Sequence, residues 1–259
     1  MTTSDRSRGV LVTGASRGIG RAAALAFAKR GDRVAVHYAT NQDDAEATLA
    51  LLPGSGHVAV AGDIGEPGTA TRIVEQAVDG LGGVDVLVNN AGVAPSAQNQ
   101  HRIDTASADR WQAAWQRMFE VNVFGAANVT WALARHLIDR GAGGAIVNVG
   151  SRGAFRGEPD HPAYAASKAA LHAFAQSAAV SLAPHNITVT AIAPGFVATE
   201  RQSGKLAGAD GDALRADSPY GRVGTPEEIA AAIVFLASPE AAWSSGAILD
   251  ANGASYLRT

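Results

Sequence analysis

The amino-acid sequence predicts a doubly wound α/β fold, a mostly parallel seven-stranded sheet with helices on both faces. Three observations predict it. Short β-rich apolar runs alternate with helical runs along the chain, which is the mark of βαβ units. The first such run, Val10 to Val12, breaks into Thr13-Gly14-Ala15-Ser16-Arg17-Gly18-Ile19-Gly20, and an Ala-rich helical stretch follows. Strand, glycine turn and helix in that order bring backbone N–H groups and a helix N-terminus up to a pyrophosphate. Finally, polar or glycine-bearing stretches recur where strands end: Asp63, Asn89-Asn90-Ala91-Gly92 and Pro194-Gly195.

The elements follow in order. After the glycine turn, Ala22, Leu25, Ala26 and Lys29 continue a helix that stops at Gly31. Residues 33–38 read as a second strand, 42–52 as an amphipathic helix ended by Pro53-Gly54, and 57–61 as a third strand. A helix over 66–80 leads to a fourth strand at 84–88. Residues 93–108 are polar and loop-like, and one long helical stretch is expected from Ala108 to Arg140. Its Trp111, Trp115 and Trp131 read as core or interface anchors. A strand at 145–149 ends at Gly150-Ser151, a helix over 162–183 stops near Pro184, and 187–192 is a sixth strand. Residues 199–221 are rich in Gly, Asp and Ala, with weak periodicity. Thr225-Pro226-Glu227-Glu228 opens a helix with a hydroxyl cap, a proline in the first turn and acids at the positive end of the dipole. Residues 246–250 make the last strand. No linker, repeat or low-complexity break interrupts the run, so residues 1–259 are expected to form one domain.

Composition narrows the function classes. At 47% apolar and 17% charged residues the chain can bury a substantial core. A net charge of −3 without a basic block gives no footprint for nucleic acid. The absence of cysteine excludes disulfides, thiolate metal sites and a thiol nucleophile. The seven histidines show no paired ligand spacing, so no metal is expected. The first nine residues lack a signal-peptide core and no run reaches membrane-span length, so a cytoplasmic protein without a membrane partner is expected.

The chemistry concentrates in Ser151 and in Tyr164-Ala165-Ala166-Ser167-Lys168. A tyrosine and a lysine four apart on a helix share a face. A nearby ammonium favours the phenolate, which makes a general acid/base of a group that otherwise stays protonated. Ser151, at a strand end, can hold a carbonyl or hydroxyl oxygen. Asp63 can accept an adenine amine, and Gly92 lets the backbone approach a ribose.

Thr13-Gly14-x-x-x-Gly18-x-Gly20, Asn89-Asn90-Ala91-Gly92, Asn122, Ser151, Tyr164-x-x-x-Lys168 and Pro194-Gly195 resemble, in identity and order, the short-chain dehydrogenase/reductase family, and most of all its 3-oxoacyl-[acyl-carrier-protein] reductase-like members. The resemblance spans essentially the whole chain. It implies a Rossmann-type fold and an NAD(P)-dependent oxidoreductase acting on a carbonyl/alcohol pair, with a ketone or 3-oxoacyl-type substrate as the leading expectation. An alcohol, sugar or polyketide-type dehydrogenase is the rival, and a non-catalytic NADP-binding regulator is a more distant one.

By that resemblance Tyr164 exchanges the proton, Lys168 lowers the tyrosine pKa and binds the nicotinamide ribose, Ser151 polarises the substrate oxygen, and Asn122 holds a water in a proton relay. The implied cofactor contacts are Gly14, Ser16, Arg17, Gly18, Ile19, Gly20, Tyr38, Thr40, Asn41, Asp63, Ile64, Asn90, Ala91, Gly92, Tyr164, Lys168, Pro194, Gly195, Val197 and Thr199. Residues 196–221 take the place of the family's substrate lid, and a homotetramer or dimer is expected. The sequence departs from the family pattern at Gly150, where a second serine is common, in the longer 93–108 segment, and at Asn252-Gly253.

Cofactor choice is read around Tyr38. NAD-specific relatives usually place an aspartate at the end of the second strand, but here the chain reads His37-Tyr38-Ala39-Thr40-Asn41, with no acid until Asp43. Arg17 lies inside the glycine turn, where a guanidinium suits a phosphate, and Thr40 and Asn41 can donate to it. NADP(H) is therefore the expected cofactor, with NAD(H) the alternative.

Overall fold

The computed structural model describes residues 7–208 and 210–258. Seven strands form one parallel sheet: β1 (Gly9–Val12), β2 (Arg33–Tyr38), β3 (Val58–Ala61), β4 (Val86–Asn89), β5 (Gly144–Val149), β6 (Ile187–Pro194) and β7 (Ile248–Ala251). Their order is β3-β2-β1-β4-β5-β6-β7, and every neighbouring pair is parallel. The chain runs outward from β1 to β3, then crosses back to lay β4 on the other side of β1. That reversal opens a crevice beyond the carboxyl ends of β1 and β4, where ligands of open α/β sheets bind.

The central strands are buried on both faces, which is why they read as unbroken apolar runs. On one face α1 (Gly18–Ala28) and α9 (Pro226–Leu236) pack over Val10, Val12 and Val34 through Phe27, Ile229 and Ile233. On the other, α3 (Thr69–Leu81), α5 (Ala126–Asp139) and α6 (Pro162–Leu182) bring Ile73, Leu133 and Ala175 against Leu11, Leu87 and Ile146. α2 (Gln42–Leu51) crosses between β2 and β3. Local chemistry starts these helices where expected. Asn41 caps α2, and Thr225 and Glu228 close a reciprocal capping box on α9.

Two stretches differ from the sequence expectation. The single helix expected over 108–140 is two helices, α4 (Ala108–Phe119) and α5, joined by a π-helical turn at Glu120–Gly125. The wide turn buries the Asn122 side chain, while Gly125 lies against Ile64, whose carbonyl oxygen would be 2.8 Å from any Cβ there. Turns of this kind concentrate at functional sites. The weakly periodic stretch after β6 holds a 3₁₀ turn at Glu200–Gln202 and two short helices, α7 (Ser203–Ala207) and α8 (Gly211–Ala216). Among the described residues no helix is long and apolar enough to cross a membrane.

Candidate active site

A cavity of about 610 Å³ runs along the carboxyl ends of the strands. The glycine turn forms one wall. Gly14 has φ +63°, a left-handed conformation that disfavours any side chain, and its Cβ would lie 2.9 Å from Ala91 Cα. Gly20 is excluded from the cavity and serves the turn from behind, because a Cβ there would strike the Gly14 carbonyl and lie 2.5 Å from Asn90 Nδ2. Asn90 Nδ2 donates to the carbonyls of Thr13 and Gly14, each at 2.9 Å, and Thr13 Oγ1 accepts the Asn90 and Ala91 amides. The β1 and β4 ends are thereby locked together.

His37 completes the turn. Its Nδ1 accepts the Gly14 N–H at 3.1 Å, so the ring proton sits on Nε2, which donates to the Gly62 carbonyl at 2.8 Å. Burial pushes its pKa down to about 4, against the upward pull of that carbonyl and of Asp63. It is a neutral strut between the glycine turn and the end of β3.

At the far end of the cavity lie Ser16, Arg17, Tyr38, Thr40, Asn41, Asp63 and Ile64. Arg17 is exposed and makes no salt bridge among the described residues. Asn41, expected to donate outward, is engaged as the α2 cap, accepting the Asp44 N–H and donating to the Asp44 carboxylate at 2.6 Å. Asp63 accepts the Gly65 N–H and an Arg117 N–H. Burial works to raise the Asp63 pKa, and these two donors outweigh it and hold the group below the usual range.

The other end gathers Ser151, Tyr164, Lys168 and Gly92 around one space. Ser151 leaves β5 in extended backbone, and its Oγ accepts the Gly153 N–H at 3.0 Å. Tyr164 and Lys168 occupy one face of α6. The ammonium donates to the Val149 carbonyl at 2.8 Å, and burial lowers its pKa to about 8. Burial raises the Tyr164 pKa; the Ser151 hydroxyl pulls it back, Glu158 adds to the rise and Arg201 opposes it. Burial thus outweighs the lowering expected for the phenol, and the Lys168 ammonium itself engages the Val149 carbonyl.

Asn122 sits behind this cluster, outside the cavity lining. Its Oδ1 accepts the Val93 N–H at 2.7 Å, and its Nδ2 donates to Ser167 Oγ at 2.9 Å and to the Val93 carbonyl at 3.2 Å. A Cβ at Gly92 would lie 3.1 Å from Asn122 Oδ1 and 3.5 Å from Lys168 Nζ. Asn122 therefore fixes the strand-end loop against the two helices.

Pro194, Gly195, Val197 and Thr199 line the cavity opposite the glycine turn, and the Thr199 methyl reaches within 3.2 Å of where a Gly18 Cβ would stand. Beside it, Glu200 Oε2 accepts the Gly18 N–H at 3.0 Å and Oε1 pairs with Arg21 at 3.1 Å. A carboxylate resting on an amide at the α1 N-terminus shows that this position takes an anion, as a dinucleotide's phosphates require. The residues present fit that group.

Several functional neighbours carried no sequence signal. His37 and Glu200 look like ordinary strand and loop residues, and only the fold brings them to the glycine turn. Arg152, next to Ser151, is buried and pairs with Asp217. The glycine at position 150 does have a structural reason, because any Cβ there would collide with the His172 ring.

An open parallel sheet with a glycine turn at its switch point, and a Ser-Tyr-Lys cluster across the cleft, defines a dinucleotide-dependent oxidoreductase. A family model described as enoyl-(acyl carrier protein) reductase matches residues 14–253. The chain is 39% identical over 251 residues to an L-rhamnose 1-dehydrogenase (NAD(P)(+)) of a Sphingomonas species, covering 96% of each. It is 36% identical over 247 residues to a 3-oxoacyl-[acyl-carrier-protein] reductase of Vibrio cholerae, covering 95% of this chain and 96% of that one. A short-chain dehydrogenase of Burkholderia cenocepacia, solved in complex with NADP, superposes with a TM-score of 0.84 at 33% identity, over 96% and 97% of the two chains. The protein belongs to the short-chain dehydrogenase/reductase family.

Proposed function

We propose that the protein is an NADP(H)-dependent oxidoreductase that interconverts an alcohol and a carbonyl on a small molecule. The observation that carries this reading is the convergence of Ser151, Tyr164 and Lys168 on a cavity continuous with the glycine turn. When bound, the nicotinamide supplies or accepts the hydride. The chain's own residues handle the proton and the position. The Ser151 hydroxyl donates to the substrate oxygen and holds it beside Tyr164. The Tyr164 O–H gives its proton to that oxygen as it gains charge, or takes the hydroxyl proton in the reverse direction. A raised pKa keeps the phenol protonated, which suits donation in the reductive direction. The Lys168 ammonium, held at the Val149 carbonyl beside Gly92, is placed to bind a ribose.

The NADP(H) preference rests on Arg17, exposed and without an acid partner among the described residues, and on the absence of an acid at the end of β2. The 3-oxoacyl-type carbonyl expected from the sequence is supported by the reductase relative, and a sugar substrate by the rhamnose dehydrogenase relative. The test is kcat/KM with NADPH and with NADH on a shared carbonyl substrate. NADPH should lead by about ten-fold or more, and Arg17→Ala should erase the lead by lowering the NADPH value alone. Equal values with both cofactors, unmoved by Arg17→Ala, would reject the preference.

A further inference from the structure

The substrate end of the cavity holds a buried cation that the proton and hydride steps do not use. Arg152 follows Ser151 in the 3₁₀ turn Arg152–Ala154, and its side chain is only 9% exposed. One arm, Nη2, donates to Asp217 Oδ2 at 2.7 Å, while the other, Nη1, is buried without a hydrogen-bond partner. Asp217 caps the C-terminal end of α8 and also lies 3.5 Å from Arg156 Nη1. Arg152 and Asp217 border both the main cavity and an adjoining one of about 340 Å³. Glu158 sits over the same turn, with Oε1 only 3.0 Å from where a Gly153 Cβ would stand.

A buried guanidinium N–H left without an acceptor costs about 1–3 kcal/mol, so an oxygen brought by a ligand has something to gain there. The chemistry around it decides which oxygen. Arg152 and Arg156 can only donate; Glu158 and Asp217 can only accept. An alkyl chain would leave Arg152 Nη1 without an acceptor and bring no polar group to the other three side chains. A carboxylate would serve the arginines but meet two carboxylates of its own charge. A hydroxyl both donates and accepts, and several hydroxyls on one skeleton can serve the arginines and the acids together. Resting on the oxidoreductase reading above, we propose that the substrate is a polyhydroxylated compound, a sugar or an alditol, whose hydroxyls beyond the reacting carbon are recognised by Arg152 and Asp217.

The experiment follows nicotinamide absorbance with the full-length protein. Aldoses, alditols, 2-hydroxy acids and unsubstituted alcohols are offered with NADP⁺, and 3-oxoacyl thioesters and simple ketones with NADPH. An aldose or alditol should give the highest kcat/KM, leading the unsubstituted alcohols by about ten-fold or more. Arg152→Met should raise KM for that compound about ten-fold with a much smaller change in kcat, and leave the NADPH Kd unmoved. Asp217→Asn, at a side chain 40% exposed, keeps the size and leaves Arg152 an amide oxygen, and should raise the same KM several-fold. A hydroxy acid, an unsubstituted alcohol or a thioester as the best substrate would overturn the substrate class and leave the oxidoreductase reading standing. A KM for the best polyol that neither variant moves would overturn the role of the pair. NADPH binding with no turnover of any compound would sink the oxidoreductase reading itself, and the substrate class with it.

Discussion

His101 Nε2 accepts the Ala163 N–H at 3.0 Å, one residue before Tyr164. The bond crosses from the 93–108 segment to the first turn of α6, where amides have no intrahelical partner and Pro162 has none to offer. His101 Nδ1 donates to the Asn99 carbonyl at 2.7 Å, which fixes the neutral tautomer with Nε2 as acceptor. Its backbone N–H reaches the Asp160 carbonyl at 2.9 Å, and Arg102 pairs with the Asp160 carboxylate. The 93–108 segment thus helps to seat the helix that carries Tyr164 and Lys168.

His101→Ala should therefore strand a buried amide and loosen the Tyr164 end of α6. We expect a loss of about 1–3 kcal/mol, read as a fall in Tm of several degrees. kcat should drop further than the NADPH Kd changes, because the glycine turn is untouched. His101→Gln, which restores an acceptor, should recover part of kcat. A variant with unchanged kcat would show that His101 supports the loop alone.

The His37 strut makes stability depend on acid. Its pKa is about 4 in the folded protein against 6.5 for a free imidazole. Above pH 6.5 both states are neutral and the full contribution is present. Between pH 6.5 and 4 the unfolded chain takes a proton that the folded one refuses, so stability falls, and below about 4 the loss levels off. The loss is on the order of 3 kcal/mol. Denaturant midpoints across this range should show a shallower slope for His37→Asn than for the parent protein. His172, also lowered to about 4 by burial, stays in both and cancels. Identical slopes would remove His37 as the source.

Tyr164→Phe separates proton transfer from binding. The ring keeps its place on α6, and the loss of the hydroxyl should lower kcat by about 10²–10⁴-fold. NADPH binding, followed by nicotinamide fluorescence, should persist. Retained turnover would assign the proton to another group.

The strand positions were legible because parallel strands buried on both faces leave unbroken apolar runs, as in Val10–Val12 and Val86–Val88. Ser151, Tyr164 and Lys168 were legible because fixed spacing on a strand end and a helix face carries chemistry in the sequence itself. The π turn at Asn122 was not, since a helix that widens by one residue keeps nearly the same periodicity. His37, His101 and Glu200 were hidden for another reason. Each acts on a backbone N–H far away in the chain, at Gly14, Ala163 and Gly18, and an amide leaves no mark in the sequence. Arg17 was visible as a candidate phosphate partner, while the competing engagement of Asn41 with Asp44 emerged only from the cap geometry.

Glu200 supplies the last prediction. Its carboxylate accepts the Gly18 N–H and pairs with Arg21, both on α1, while its backbone lies in the 3₁₀ turn Glu200–Gln202 that follows β6. Two anions cannot share one helix N-terminus at low cost, so a phosphate approaching that amide must displace the carboxylate or share the amide with it. Glu200→Gln keeps the size and removes the charge. The contribution of a surface anion at such a site is about 0.3–1 kcal/mol, so the NADPH Kd should fall about two- to five-fold. The Glu200 side chain is 56% exposed, and Tm should move little. Weaker binding in this variant would reverse the assignment: the carboxylate would then be orienting Arg21 toward the cofactor, and the segment after Thr199 would be a support for the phosphates and not their competitor.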